Sequence, residues 1–322
     1  MSENSKVCFA KKTSIGGQAL IEGIMMRGPQ KTAMAVRNPQ GEIVLEKWDN
    51  EPANKKKTIV DVLRKIPIVR GVFNFAISMA SGYKSLMKSA EIAGFEEESE
   101  KEESKGLMAV VGVIAGVLGV VLSVGLFIWL PSFLYSMLVK IVPFFAQDET
   151  GIIRSLFEGI LKIIILVGYM AIVSRMKDIK RTFQYHGAEH KTIFCYEAGL
   201  ELTVENVRKM GRFHPRCGTS FLIVMVIVGV LIGMLIPQQI GGVAVDHTIR
   251  ALIKLLLLPL TMGLGYEFIK LAGKHDNVVT RILSAPGLWM QRITVLEPDD
   301  SMIECAIAAV NEVIPEDGSD II

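Results

Sequence analysis

The run His186-Gly-Ala-Glu189-His190 sets two imidazoles four residues apart, with a carboxylate just before the second. On a helix these positions share a face, so both rings can reach one metal ion. Glu189 then stands beside them, able to take a proton from a bound water. The order is the reverse of the H-E-x-x-H zinc pattern, and Zn2+ is the ion such a set suits. Three residues are candidates to complete it: His214 and Cys217, in His214-Pro-Arg-Cys217, and Glu267, at the end of the last apolar stretch. Imidazole, thiolate and carboxylate all ligate zinc, and a position left open would mark a catalytic centre. The plainer alternative makes His186 and His190 polar residues at headgroup level, Cys217 a small buried residue and Glu267 the partner of a nearby cation.

The pair needs a helix, and the sequence allows one. Proline is absent from Met176 to Ala198, and Gly199 supplies a stop. Gly187, inside the motif, opposes the helix by about 1 kcal/mol relative to alanine. Other conspicuous residues carry less. Gly16-Gly17 and Gly28-Pro29 read as tight turns around a strand or short helix that holds Glu22. Their spacing is wrong for a phosphate cradle. Aromatic residues are too sparse to stack bases, so no nucleic-acid partner is expected. Cys8, Cys195, Cys217 and Cys305 are far apart and form no Cys-x-x-Cys pair, which argues against a disulfide framework and a four-thiolate zinc knot and fits a reducing compartment.

The elements that must position these residues are apolar. Half of the 322 residues are hydrophobic, while the formal net charge is only +2. The expected fold is therefore a mainly α membrane protein with about four transmembrane helices and a small cytoplasmic α+β part built from the N- and C-terminal segments. Residues 1–60 form a cytoplasmic segment with a β-hairpin from Thr32 to Trp48 around the turn Asn38-Pro-Gln-Gly41. Residues 61–95 supply an amphipathic helix, over 66–90, lying in the membrane interface, and 96–105 an acidic linker. The first transmembrane pair covers 106–174, at about 106–130, closed by Pro131, and 155–174. A basic loop, 175–218, carries the histidine motif. The second pair covers 219–266, at about 219–237 and 249–266. The C-terminal segment, 267–322, has an amphipathic helix over 301–314 that packs on the N-terminal part.

Two details refine that scheme. Gly112-x-x-x-Gly116 and Gly229-x-x-x-Gly233 suggest close helix packing. Glu158 and Lys162, one turn apart, read as a mutually neutralising or snorkelling pair. Orientation follows from charge: residues 175–218 hold nine Lys and Arg, 131–153 hold only Lys140, and 238–249 hold none. By the positive-inside rule the loop and both termini are cytoplasmic. No cleavable signal is visible in the first residues, so the first span is expected to direct insertion.

Taken together, GGQALIEGIMMRGP, HGAEHKTI, HPRCGTSF and PGLWMQRITVLEPDD resemble the uncharacterised bacterial multi-pass membrane protein family typified by YqhQ. The resemblance covers nearly the whole chain. It implies a domain of unknown function described as a predicted metal-dependent enzyme, and it directs attention to His186, Glu189, His190, His214 and Cys217, with Glu22 and Glu267 as matching acids. The expectation is a zinc-dependent membrane enzyme, hydrolytic, with Glu189 catalytic and His186, His190 and one of His214, Cys217 or Glu267 holding the ion at the cytoplasmic surface. The alternative is a non-catalytic assembly or scaffold factor docking partners on the basic loop and terminal segments. Expected partners are the lipid bilayer and other membrane proteins, with room for a homo-oligomer, in the bacterial cytoplasmic membrane.

Overall fold

A computed structural model describes residues 11–50, 63, 65–95, 102–142, 144–145, 148, 150–237, 239–240, 243–274 and 278–321. Cys8 and the start of the expected linker, 96–101, lie outside the described residues. Four strands, β1 (Gly16–Leu20), β2 (Gly23–Arg27), β3 (Lys31–Arg37) and β4 (Ile43–Asp49), form an antiparallel meander in sequence order. The β3–β4 hairpin turns at Asn38, whose side chain accepts the Glu42 N–H at 2.8 Å, with Gly41 at φ 87°. Gly16 and Gly17 lie within a strand and do not make the expected turn. The turn falls at Ile21-Glu22, where Glu22 takes φ 50°. A bidentate pair with Arg181 holds it there.

Strand alternation gives this sheet two buried faces. Ile24, Met26, Ala33 and Ala35 point into one cluster with Tyr185, Cys195, Met302, Cys305, Ala306 and Val310. Leu20, Met25, Met34 and Val36 point into another, closed by Leu86, Ile92 and Ala93. The first face is covered by α5 (Lys177–Glu197) and α11 (Asp300–Asn311), the second by the C-terminal part of α1 (Val69–Ile92). Asp299 starts α11 by accepting the Met302 N–H at 3.0 Å. The expected interfacial helix is thus also a lid on the sheet. Its N-terminal part packs on α9 (Leu258–Lys274), where Asn74 donates to the Tyr266 hydroxyl at 2.9 Å. Ile77, Met79, Tyr83 and Met87 remain on its exposed side.

Among the described residues, the apolar half contains fewer helices of crossing length than expected. Gly112–Ile141 and Ile152–Val173 (α4) are each long and apolar enough to cross a membrane. A third crossing exists if the bent pair α8 (His247–Leu256) and α9 counts as one. That pair turns by 52°, where Pro259 in the first turn of α9 lacks the N–H that would continue the ladder. The apolar run over 219–237 yields α7 (Thr219–Met234), only 16 residues long.

Pro131 does not close the first apolar helix. α2 (Glu102–Val124) passes through a π-helical turn, Gly125–Trp129, into α3 (Leu130–Ile141). There the Leu130 N–H donates to Gly125 O, five residues back. The wider turn precedes Pro131, which has no N–H to continue the ladder, and the helix runs on past it. An added Cβ at Gly112 or Gly116 would meet nothing, whereas one at Gly233 would meet Ser155 Oγ at 3.3 Å. Among the described residues, only the second glycine pattern brings its helix close to a neighbour. A short hairpin, β5 (Gln239–Ile240) and β6 (Val243–Ala244), a one-turn helix α6 (Val204–Arg208) and a helix α10 (Val278–Thr294) were not foreseen.

Candidate metal centre

Helix α5 carries the histidine motif and ends as its sequence demands. Gly199 at φ 70° lets the Leu200 N–H reach Cys195 O at 3.2 Å and the Gly199 N–H reach Tyr196 O at 3.0 Å, a two-bond C-terminal cap. Gly187 has a packing role that propensity does not reveal. A Cβ there would run into the main-chain oxygen of Leu296. Its absence lets residues 294–298 cross α5 closely, with the Leu296 N–H donating to Phe183 O at 2.9 Å.

That crossing sets the first imidazole. His186 Nδ1 lies 3.0 Å from Thr294 O, and His190 Nδ1 lies 2.6 Å from Arg212 O. A carbonyl can only accept, so each Nδ1 donates, and Nε2 is the ring nitrogen left for a ligand. Carbonyls behind metal-binding histidines orient them in the same way. The ring centroids are 4.5 Å apart, and Cys217 Sγ stands 3.2 Å from His186 Nε2. One donor atom from each of His186, His190 and Cys217 lies within 4.8 Å of the others. Bonds of zinc length in a tetrahedron separate donors by about 3.3–3.7 Å, so a small contraction would suit the ion.

Glu189 is 6 % exposed and accepts the Gly17 N–H at 3.1 Å on Oε1, while its buried Oε2 has no hydrogen-bond partner among the described residues. Burial pushes this carboxyl above the usual range, against the opposing effects of His186 and the Gly17 N–H. A buried carboxylate oxygen without a partner is costly and invites a cation or proton. Gly17 permits the approach: a Cβ there would sit 2.7 Å from Met25 O and 3.0 Å from Glu189 Cδ.

The other two candidates are placed differently. His214 is buried beside the cluster, its ring 5.6 Å from that of His190, but its nitrogens face elsewhere. Nδ1 accepts the Arg216 N–H at 3.2 Å, and Nε2 lies 3.7 Å from Glu197. Burial holds this imidazole below its ordinary value, outweighing Glu197. Burial alone would raise Glu197, but His214, the Thr13 N–H and Arg216 together hold it low. Gln291 exchanges two 2.8 Å bonds with the His214 backbone and so pins the loop that delivers Cys217. Glu267 does not reach the cluster; it forms a bidentate pair with Arg70 of α1.

Sequence reasoning missed the supporting residues Gly17, Thr294, Gln291, Glu197 and the Arg212 carbonyl. The first three lie inside the distinctive segments GGQALIEGIMMRGP and PGLWMQRITVLEPDD, which was the available signal. "Uncharacterized protein YqhQ" of Bacillus subtilis (strain 168) is 35 % identical over 318 residues, covering 93 % of this chain and 92 % of that protein. No solved structure matches significantly. The family model described as "Protein of unknown function (DUF1385)" matches residues 66–316, and the chain belongs to that family.

Proposed function

We propose that this protein is a membrane-embedded metal-dependent hydrolase whose ion, Zn2+, is held by His186, His190 and Cys217. The observation that carries the reading is the joint state of four side chains. Both imidazoles are fixed through Nδ1 by carbonyls, Cys217 Sγ is adjacent to His186 Nε2, and Glu189 keeps one buried oxygen without a hydrogen-bond partner among the described residues. When bound at such a three-donor centre, zinc supplies Lewis acidity and lowers the pKa of a coordinated water. Glu189 takes up and returns the proton, with its other oxygen anchored on Gly17. A peptide, membrane protein or lipid-linked molecule approaching along the bilayer surface is the substrate class. Four crossings, with α7 as the third and α8–α9 as the fourth, leave the metal centre and both termini in the cytoplasm, a topology supported by the nine basic residues of 175–218.

Metal analysis tests this. Purified wild type should carry about one zinc per chain, and the His186→Ala, His190→Ala double variant should carry almost none. Glu189→Gln should keep the metal and lose function in cells. Equal, negligible metal in wild type and double variant would end the proposal. A scaffold role for the basic loop has less support. Six of the nine cations are already paired inside the chain: Arg181 with Glu22, Lys191 and Arg212 with Glu297, Arg208 with Asp300, Lys209 with Glu205 and Arg216 with Glu197.

A further inference from the structure

Strand β1 is an outer strand of the sheet, and it runs beside the cluster of His186, His190 and Cys217. Its ladder with β2 opposes Leu20 to Gly23, Gln18 to Met25 and Gly16 to Arg27, and across a two-residue turn these are the pairs that exchange hydrogen bonds. Gly17 and Ala19 therefore turn their main-chain groups to the free edge. Side chains of this protein already serve the N–H groups on either side of Ala19. That of Ile15 reaches Thr13 Oγ1 at 3.1 Å, that of Gly17 reaches Glu189 Oε1 at 3.1 Å, and that of Ile21 reaches Ser89 Oγ at 3.2 Å. The Ala19 N–H has no partner among the described residues. An unpaired edge of this kind is a template for another extended main chain.

The space over this edge is open where it meets the cluster. Helix α1 turns Phe75, Ser78, Gly82, Ser85 and Ser89 inward as one stripe. Gly82, Ser85 and Ser89 are buried on the sheet, with Gly82 against Gln18 and Ser89 on Ile21. Phe75 rests on Phe221, near the start of α7, with ring centroids 5.6 Å apart. Between those anchors Ala76, Ile77, Ser78, Met79 and Ala80 are all exposed, Ser78 of the stripe among them. That run covers more than a full turn, so no face of α1 is packed there and the helix bridges a gap. Both banks of the gap lead to the cluster. Gln18 follows Gly17, itself exposed and bonded to Glu189, and Phe221 closely follows Thr219, whose hydroxyl is 3.2 Å from Cys217 Sγ.

We propose that this gap is the binding cleft for an extended polypeptide, which adds to the free edge of β1 beneath residues 76–80 of α1 and makes the protein a peptidase. The inference rests on the metal reading above and narrows its substrate class. A main chain fits where an acyl chain does not, because the edge offers a donor at Ala19 with the carbonyls of Gly17 and Ala19 beside it. One peptide residue opposite Ala19 exchanges two hydrogen bonds with it. Pairing stops at Gly17, whose N–H Glu189 has taken, so the next part of the peptide passes the carboxylate and the two imidazoles. Water adds to an amide carbon there, the C–N bond breaks, and a proton of the water passes through Glu189 to the departing amine.

Zinc-loaded full-length protein in non-ionic detergent would be given a tryptic digest of a bacterial proteome, with new peptide termini read by mass spectrometry and zinc by elemental analysis. Wild type should generate new termini, and Glu189→Gln should not. In Glu189→Gln, bound peptides should instead slow hydrogen exchange over Gly16–Leu20. Ala19→Pro removes an N–H that the ladder with β2 does not use. Ser78→Trp fills the gap from an exposed position and should fold even if the proline variant does not. Each should keep about one zinc per chain and lower cleavage about tenfold or more. Zinc-loaded wild type that yields no new termini, or wild-type cleavage by zinc-loaded Ser78→Trp, overturns the peptide assignment and leaves the metal reading in place. Wild type that takes up no zinc ends the metal reading and this inference with it.

Discussion

Gly187 shows how a single residue can read one way in a helix and another in a fold. Replacing it with alanine gains about 1 kcal/mol of helix propensity. The new Cβ meets a main-chain oxygen, which cannot rotate aside, and overpacking of that kind costs about 1–3 kcal/mol. The clash should win, because relieving it moves residues 294–298 and with them the Thr294 carbonyl that orients His186. Gly187→Ala is expected to lower both Tm and bound zinc; an unchanged metal content would show that the crossing is not what sets the imidazole. Cys217→Ser should keep the fold and lower zinc affinity about a hundredfold or more in chelator competition, since a hydroxyl replaces the thiolate donor. Cys305 behaves differently, as a core residue whose thiol burial pushes up to about 11. A folded-state pKa raised above the unfolded value means stability is full below about pH 9 and lost as pH rises through 11. Denaturant titrations from pH 8 to 11 should show a loss on the order of 2 kcal/mol that Cys305→Ala shares only in part.

At the scale of elements, α11 makes the clearest case. Its amphipathic spacing is plain in the sequence, and Met302, Ile303, Cys305, Ala306, Ala309 and Val310 are all buried against the sheet and α5. Met302→Ala should cost about 2–4 kcal/mol in chemical denaturation. The hairpin around Asn38 was equally legible, because turn chemistry and period-two alternation are local. Helix ends that depend on distant partners were not. Pro131 looks like a stop until the π turn before it is known, and α7 is shorter than its apolar run because the chain breaks at Leu235, where Arg250 of another helix caps it. Helix α1 was recognised by its amphipathic pattern, yet its contacts with the sheet on one side and α9 on the other lie more than a hundred residues apart in part of the chain. No local window contains them.

The whole molecule joins a sheet-and-helix body, which carries the cluster of His186, His190 and Cys217, to a set of apolar helices that carry the buried cations. Sidedness is the property to test at this scale. Single cysteines at Thr150, Glu205 and Thr248, in a background lacking Cys8, should separate under a membrane-impermeant thiol reagent in intact cells. Thr150→Cys and Thr248→Cys should be labelled and Glu205→Cys protected until the membrane is opened. Protection at Thr248 would make α8–α9 a re-entrant element and not a crossing. The sequence by itself determined the apolar class of the chain, its charge asymmetry, the hairpin, α11, and the pairing of His186 with His190, because periodicity, composition and i to i+4 spacing act within a few turns. Only the tertiary structure decided among His214, Cys217 and Glu267 as neighbours of that pair, and exchanged Lys162 for Arg154 and Lys254 as the ion-pair partners of Glu158. Those choices depend on which backbones cross, and crossings are set by glycines, carbonyls and ion pairs whose partners lie far apart in the chain.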